Sequence, residues 1–243
     1  DCLLSRGLGD VYKRQIFPTS VYAKQLLGSK QGEINQELYS VYNPDKMMKN
    51  THHTHNHSAS HEVSCDDEGK MFSMNIIKET PNFCRFVEQC VINYAQELGM
   101  QAMIPFAITE SWFTKTSKGQ HAPIHAHGNS DISGVYYLQT NGNDGALVLK
   151  NPMNCTNNNI IMFLNSMKWG EKRMPLKEGL LLLWPAFIEH GTFVNETPED
   201  RISFSFNITL SKPPYMSTIA GTKAEKKSHL YIPSELPPKL SSK

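Results

Sequence analysis

The clearest pattern in the chain is a strict alternation of polar and apolar residues over positions 201–210. Because successive side chains of a β-strand point to opposite faces, this segment is predicted to be a strand with one polar and one apolar face. The polar positions are Arg201, Ser203, Ser205, Asn207 and Thr209, and the apolar positions are Ile202, Phe204, Phe206 and Ile208.

Several further segments are typical of short strands, and clusters of turn residues such as NGND and NETPED separate them. Many short strands with this punctuation predict a mainly β protein, a sandwich or jelly roll. The segments are IPFAITESWFTKT, DISGVYYLQT, GALVLKN, NIIMFLN and GLLLLWP, in addition to RISFSFNITL.

One segment has the pattern of an amphipathic helix instead. Residues 81–98 carry apolar side chains at helical spacing, and Pro81 suits the first turn of a helix. We expect this helix to pack on the outside of the β-core.

The candidate chemistry centres on two histidines, His125 and His127, in the string HAPIHAH. Residues two apart in a strand face the same way, so both imidazoles can address one point in space. His190 precedes Arg201 with ten residues between them, and a third histidine on a facing strand would complete a metal site.

The order of these features resembles that of the Fe(II)/2-oxoglutarate-dependent dioxygenase superfamily. The resemblance covers about residues 104–210. Within the superfamily it is strongest to the prolyl-hydroxylase-like branch and to the oxygenases of marine bacteria and their phages. Two segments carry the resemblance, SWFTKTSKGQHAPIHAHGNSDISGVYYLQTNGNDGALVLKNP and KEGLLLLWPAFIEHGTFVNETPEDRISFSFN. In addition, the segment IFPTSVYAKQL resembles the opening strand of the same group. It implies a double-stranded β-helix (jelly roll) with supporting N-terminal helices.

The resemblance also implies a role for each of six residues. His125, His127 and His190 would hold Fe(II), while Tyr137, Arg201 and Ser203 would bind 2-oxoglutarate as cosubstrate, with dioxygen as the second. Arg201 suits the distal carboxylate because its planar guanidinium is always charged and donates a paired hydrogen bond. Alternation puts only one of the two adjacent tyrosines on the inner face, and the resemblance selects Tyr137.

The chain departs from the superfamily pattern at one metal ligand. The usual set is two histidines and a carboxylate, whereas position 127 here is histidine. Asp131 could supply the carboxylate, or His121 could replace one of the pair. We favour His125, His127 and His190 because Pro123 interrupts the alternation after His121 and Asp131 follows Gly128 in an expected loop.

The resemblance predicts an oxygenase that hydroxylates an unidentified substrate, a small molecule or a protein side chain, with release of succinate and CO2. Two alternatives stay open: a cupin-like three-His dioxygenase that does not use 2-oxoglutarate, and a non-catalytic metal-binding jelly-roll module. Arg201 argues against the module, since a structural metal site needs no positioned cation beside it. Trp112, Phe113 and the loop at 141–145 could line the substrate entrance or could belong to the core.

Composition and net charge limit the expected partners and the expected compartment of the protein. The net charge of +1 gives no indication of nucleic-acid binding, and no apolar run approaches the ~18 residues of a membrane helix. The five cysteines are odd in number and lack metal-like spacing, which favours reduced thiols in the cytoplasm. The oligomeric state has no signal in the sequence.

Four regions are expected along the chain. Residues 1–15 resemble a non-native leader. Residues 16–103 hold the first strand, a His-rich loop at 52–61 and the supporting helix, and residues 104–211 form the catalytic core. Residues 212–243, rich in proline, lysine and serine, are expected to be an extended tail.

Overall fold

The computed structural model describes residues 19–50, 60–71, 75–100, 105–152 and 170–211. The expected leader, most of the His-rich loop, the segment NIIMFLN and the C-terminal tail lie outside these residues. No helix among them is long and apolar enough to cross a membrane.

The described residues form ten strands and two α-helices. A seven-stranded sheet has the order β1-β8-β5-β10-β4-β3-β2, and a three-stranded sheet has the order β7-β6-β9. The helices are α1 (Gly28–Val41) and α2 (Pro81–Glu97), with short 3-10 helices at Pro44–Lys46 and Ile76–Glu79. The strands are β1 (Tyr22–Gln25), β2 (Met47–Lys49), β3 (Glu62–Ser64), β4 (Phe106–Thr116), β5 (Ile132–Gln139), β6 (Leu147–Lys150), β7 (Glu171–Arg173), β8 (Leu180–Pro185), β9 (His190–Thr192) and β10 (Arg201–Leu210).

The large sheet is antiparallel, and β10 lies at its centre between β5 and β4. The alternation of β10 therefore places every second side chain on the same face. The outer, apolar face of the sheet is covered by both helices and forms the larger hydrophobic cluster. There the ring of Phe83 on α2 lies 5.2 Å from the rings of both Tyr136 and Phe204.

The two helices are tied together at the start of α2. The carboxylate of Glu37 on α1 accepts hydrogen bonds from the backbone N–H groups of Asn82 (3.0 Å) and Phe83 (2.7 Å). These N–H groups have no partner within the helix, so the carboxylate satisfies them. The predicted helix is confirmed by α2, including its position outside the β-core, whereas no pattern in the sequence located α1.

The inner face of the large sheet meets the small sheet. A second hydrophobic cluster lies between them and includes Val135, Tyr137, Leu147, Leu182 and Trp184. This arrangement confirms the predicted jelly roll with its supporting helices. The polar face of β10 points inward, where a cavity lies between the sheets.

Candidate metal and cosubstrate site

The inner cavity brings together all six side chains that the sequence singled out. Its lining includes His125, His127, Tyr137, His190, Arg201 and Ser203. The three histidines lie toward one end, and Arg201 with its neighbours lies toward the other end of β10.

The three histidines form a compact cluster. Their candidate ligand nitrogens all lie within 4.8 Å of one another. The ring centroids are 5.0 Å apart for His125 and His127, 4.4 Å for His125 and His190, and 5.1 Å for His127 and His190. Metal–imidazole bonds are about 2.0–2.1 Å long, so modest rotations of these side chains let all three reach one ion.

The segment that carries His125 and His127 is not the strand that the sequence predicted. Between β4 and β5 the backbone is irregular, and His125 forms only an isolated antiparallel bridge with His190. The bridge has two backbone hydrogen bonds, His125 N–H to His190 O (2.9 Å) and His190 N–H to His125 O (2.8 Å). A third bond, from His127 N–H to Ala186 O (3.0 Å), fixes the next turn of this segment.

Backbone carbonyls orient two of the imidazole rings. Nδ1 of His125 lies 2.7 Å from Pro123 O, and Nδ1 of His190 lies 2.9 Å from Ile188 O. A carbonyl oxygen can only accept, so Nδ1 carries the proton in both rings and the lone pair is on Nε2. This is the tautomer that binds a metal through Nε2.

The pKa of His190 is lowered to about 3, first by burial and then by the neighbouring His125 and His127 rings, while its bond to Ile188 O acts in the opposite direction. The ring is therefore neutral at physiological pH. A neutral imidazole is the form that binds a metal ion, so this environment suits a ligand.

The two alternative ligands lie outside the cluster. The carboxylate of Asp131 accepts a hydrogen bond from the Leu210 backbone N–H at 2.7 Å, which holds the strand end of β10. His121 bridges to Ser60 instead, and its Nδ1 is buried without a partner among the described residues. Within the part of the chain that the structure describes, His125, His127 and His190 are thus the group placed to hold a metal, and no carboxylate joins them.

Arg201 is buried at the other end of the cavity, with 2% of its surface exposed. Its Nη1 donates to the backbone carbonyls of Asp144 (2.8 Å) and Gly145, and its Nη2 donates to the Thr116 hydroxyl (3.0 Å). An arginine has five N–H donors, so Nε–H and one Nη2–H are left over.

No carboxylate among the described residues forms an ion pair with Arg201. Burial lowers the pKa of Arg201, and the neighbouring Tyr137 and Asp144 act in the opposite direction, but the Asp144 carboxylate accepts hydrogen bonds from Thr140 and Asn141. A buried cation without a paired anion is costly. An anionic ligand in the cavity would remove that cost.

Two hydroxyl groups lie beside Arg201. Ser203 follows it on the same face of β10, and Tyr137 is opposite Ser203 in the sheet register. Neither hydroxyl has a hydrogen-bond partner among the described residues, although both side chains are buried, at 5% and 3% exposure. Burial raises the pKa of Tyr137, so its phenol is a neutral donor.

The structure separates the residues that were proposed for the entrance. Trp112 lines the cavity, with its ring 6.2 Å from that of His127, whereas Phe113 points to the helix side and packs on Phe204 at 4.9 Å. The loop at 141–145 supplies the carbonyls that bind Arg201. No sequence pattern indicates this role, because a backbone carbonyl belongs to every residue.

Two further polar groups of the site were not assigned a role from the sequence. Asn207 lies on the polar face of β10, and its amide contacts His127. Trp184 packs edge-on against His190 at 4.9 Å, and its buried indole N–H has no partner among the described residues. The alternation itself could have pointed to Asn207, since it shares a face with Arg201.

Comparison with known proteins agrees with this geometry. Residues 110–207 match the model of a family described as "Putative 2OG-Fe(II) oxygenase". No curated protein sequence matches the chain.

Several solved structures share the fold at low identity. The α-ketoglutarate-dependent epimerase SnoN of nogalamycin biosynthesis is 11% identical, with a TM-score of 0.55 over 85% of this chain and 87% of that one. A Pseudomonas putida prolyl-4-hydroxylase is 12% identical, with a TM-score of 0.51 over 80% and 94%. HygX from Streptomyces hygroscopicus, solved with nickel, 2-oxoglutarate and hygromycin B bound, is 14% identical, with a TM-score of 0.50 over 79% and 83%.

These likenesses concern the fold, and the family match concerns the part of the sequence that carries the site. All six side chains of the cavity fall within the matched segment. Residues 110–207 are thus similar to the 2OG-Fe(II) oxygenase family.

Proposed function

We propose that this protein is an Fe(II)- and 2-oxoglutarate-dependent oxygenase that hydroxylates a substrate and releases succinate and CO2. The observation that carries the proposal is the buried Arg201, which has no carboxylate partner among the described residues and shares a cavity with a cluster of three histidines. The match of residues 110–207 to an oxygenase family model supports the same class of reaction.

The donor set fits the metal. Imidazole nitrogen suits Fe(II), and two of the three rings are already held in the tautomer that leaves Nε2 available. Three ligands on one side of an ion leave other coordination positions for small molecules. His125, His127 and His190 would hold the iron, which would supply the activation of dioxygen for the coupled oxidation of 2-oxoglutarate and the substrate.

The opposite end of the cavity fits a dicarboxylate. The two unused donors of Arg201 can bind one carboxylate as a fork, and the hydroxyls of Ser203 and Tyr137 can add hydrogen bonds to it. The other end of such a molecule would then extend toward the histidines. These groups orient the cosubstrate and exclude water, while the iron and dioxygen provide the oxidation.

The primary substrate, a small molecule or a protein side chain, is proposed to approach beside Trp112 near His127. A cytoplasmic setting is part of the proposal, and it is supported by Cys65, Cys84 and Cys90, which are free thiols. We propose no nucleic-acid partner, since the net charge is only +1.

The test is an anaerobic titration of the protein with Fe(II) and then 2-oxoglutarate. We expect the weak visible charge-transfer band of the ternary complex and, after air is admitted, succinate and CO2. Arg201→Ala should bind iron without giving the band. Iron binding with no response of the wild type to 2-oxoglutarate would favour the cupin-like dioxygenase, and no iron binding would contradict the oxygenase altogether.

A further inference from the structure

His127 differs from the other two histidines of the cluster in the partner of its Nδ1 atom. Backbone carbonyls hold Nδ1 of His125 and His190, but Nδ1 of His127 lies 3.2 Å from the side-chain amide nitrogen of Asn207. An amide N–H donates, so His127 accepts at Nδ1, and its ring carries the proton on Nε2.

The orientation of the Asn207 amide is set by its other contacts. Asn207 has 1% of its surface exposed, its Oδ1 accepts from the Ser133 hydroxyl at 3.0 Å, and its Nδ2 donates to Glu110 at 2.9 Å. A carboxylate can only accept, so Glu110 requires the nitrogen of the amide on its side. The same nitrogen then faces His127.

This polar row is built into the sheet. Asn207 on β10 is opposite Ser133 on β5 and opposite Glu110 on β4, so the three side chains lie on one line across three strands. The register with β4 shifts by one residue immediately after Asn207. Bulges of this kind are common next to active sites, where they redirect a side chain.

For Nε2 of His127 to bind a metal ion, the proton must move to Nδ1, and the partner of Nδ1 must then accept. Asn207 can do this if its amide turns by half a rotation and presents Oδ1. The Ser133 hydroxyl can donate or accept, so it serves both orientations, and Glu110 is exposed and free to move. The proton changes ring nitrogen, and no net proton is taken up or released.

We propose that Asn207 is a positioning residue of the metal site, which orients His127 and decides which of its ring nitrogens carries the proton. This inference rests on the proposed function, because it assigns His127 to the metal. Outer contacts of this type usually change metal affinity about 10- to 100-fold.

The first test measures the affinity of the purified protein for Co(II), with the visible spectrum of the bound ion as the signal. Asn207→Ala removes the partner of Nδ1, and we expect about 10- to 100-fold weaker binding at unchanged stoichiometry. Asn207→Asp can only accept, which favours the proton on Nδ1, so it should bind Co(II) more tightly than Asn207→Ala does. Ser205→Ala serves as the matched control, because Ser205 is the next residue on the same face of β10 in the direction of Arg201. We expect its Co(II) affinity to stay within about twofold of the wild-type value.

The double variant separates positioning from a general effect on the fold. If Asn207 acts through His127, the losses of Asn207→Ala and His127→Ala will not add up. Additive losses, or Co(II) affinity of Asn207→Ala equal to that of the wild type, would overturn the proposal. Thermal unfolding of each variant checks that the fold is intact.

A direct measurement does not depend on metal affinity. Two-bond proton–nitrogen spectra of ¹⁵N-histidine protein, assigned with His127→Ala, report which ring nitrogen carries the proton. We expect Nε2 in the protein treated with chelator and Nδ1 after Zn(II) is added. A proton on Nδ1 before metal is added would overturn this proposal about Asn207. Failure of the wild type to bind Co(II) would instead contradict the proposed function, so the two failures can be distinguished.

Discussion

Among single residues, Arg201 illustrates how a buried charge can indicate a ligand. Its guanidinium has three hydrogen bonds to neutral acceptors of the protein, two carbonyls and one hydroxyl. These bonds fix its direction but do not neutralise its charge. The remaining donors lie in the same cavity as the hydroxyls of Ser203 and Tyr137, which have no partner in the described part of the chain, so the arrangement favours an anion over a neutral molecule.

Substitution of Arg201 should weaken 2-oxoglutarate binding and leave metal binding nearly unchanged. Arg201→Lys keeps the charge but loses the fork, and Arg201→Ala loses both, so the alanine variant should lose more affinity. Loss of one partner from a buried charge pair costs about 2–5 kcal/mol, so the dissociation constant for Arg201→Ala should rise at least roughly 30-fold. Calorimetry with Ni(II)-loaded protein measures this.

The matched control for that series is Arg173→Lys. Arg173 lies on β7 over the ring of Phe193, and its side chain is 67% exposed. We expect no change in 2-oxoglutarate affinity for this variant. Equal affinities for the wild type, Arg201→Lys and Arg201→Ala would show that Arg201 is a structural cation, and the function would then depend on the histidines alone.

The metal ligands can be tested against the two candidates that the structure places outside the cluster. His125→Ala, His127→Ala and His190→Ala should each lose stoichiometric iron while keeping the β-fold, because none of the three histidines belongs to either hydrophobic cluster. His121→Ala and Asp131→Asn should keep iron. Metal analysis of the desalted proteins decides this, and full iron in His127→Ala with loss in Asp131→Asn would transfer the role to the carboxylate.

How much of the site was predictable depends on which atoms form it. The side chains of Arg201, Ser203 and Tyr137 share one cavity because strand alternation fixes the face of each residue. The carbonyls that hold Arg201 and the tautomer of His127 depend on tertiary neighbours, which no local pattern reports. The sequence therefore predicts which side chains meet, but not how each is held.

At the scale of elements, the strands were more predictable than the helices. The predicted strand 201–210 coincides with β10, whose two faces are both buried but by different kinds of residue. Helix α1 buries only Ile34 and Leu38 and contains two glycines, so its sequence lacks an apolar stripe. The His125–His127 segment is not a strand because its pairing is limited to the bridge with His190.

The packing of β5 between β10 and β8 gives a prediction at this scale. A Cβ added to Gly134 would overlap the ring of Phe206 and come within 2.8 Å of Leu183 Cδ2, so these two side chains fill the space beside this glycine. Gly134→Ala should lower the free energy of unfolding by about 1–3 kcal/mol through overpacking. Chemical denaturation measures the difference.

Gly32 on α1 provides the opposite case in the same measurement. A Cβ at Gly32 meets no heavy atom within 4 Å, and alanine is the better helix former. Gly32→Ala should raise the free energy of unfolding by about 0.5–1 kcal/mol. If Gly134→Ala were neutral or stabilising while Gly32→Ala behaved as expected, the tight packing of Phe206 and Leu183 against Gly134 would be wrong.

For the whole molecule, the central question is how stability is divided between the core and the site. The larger hydrophobic cluster joins both helices to the outer face of the large sheet, while the cavity lies on its inner face. Side chains of β10 alternate between the hydrophobic cluster and the cavity, so this one strand contributes to both. The cluster does not need the histidines for its packing, and the fold should form without a metal.

Removal of the metal is therefore expected to lower stability without unfolding the protein. An ion bound only by the native state stabilises it by RT ln(1 + [metal]/Kd), about 2.7 kcal/mol at a free concentration of 100 times Kd, which corresponds to roughly 5–10 °C in Tm for a chain of this size. We expect chelator to lower Tm by this amount, the far-UV circular dichroism to stay unchanged at 25 °C, and added Fe(II) or Ni(II) to restore Tm. His190→Ala is the control, because chelator should not change its Tm. Loss of the β-signal on chelation would mean that the metal is part of the fold, and the site would then be structural rather than catalytic.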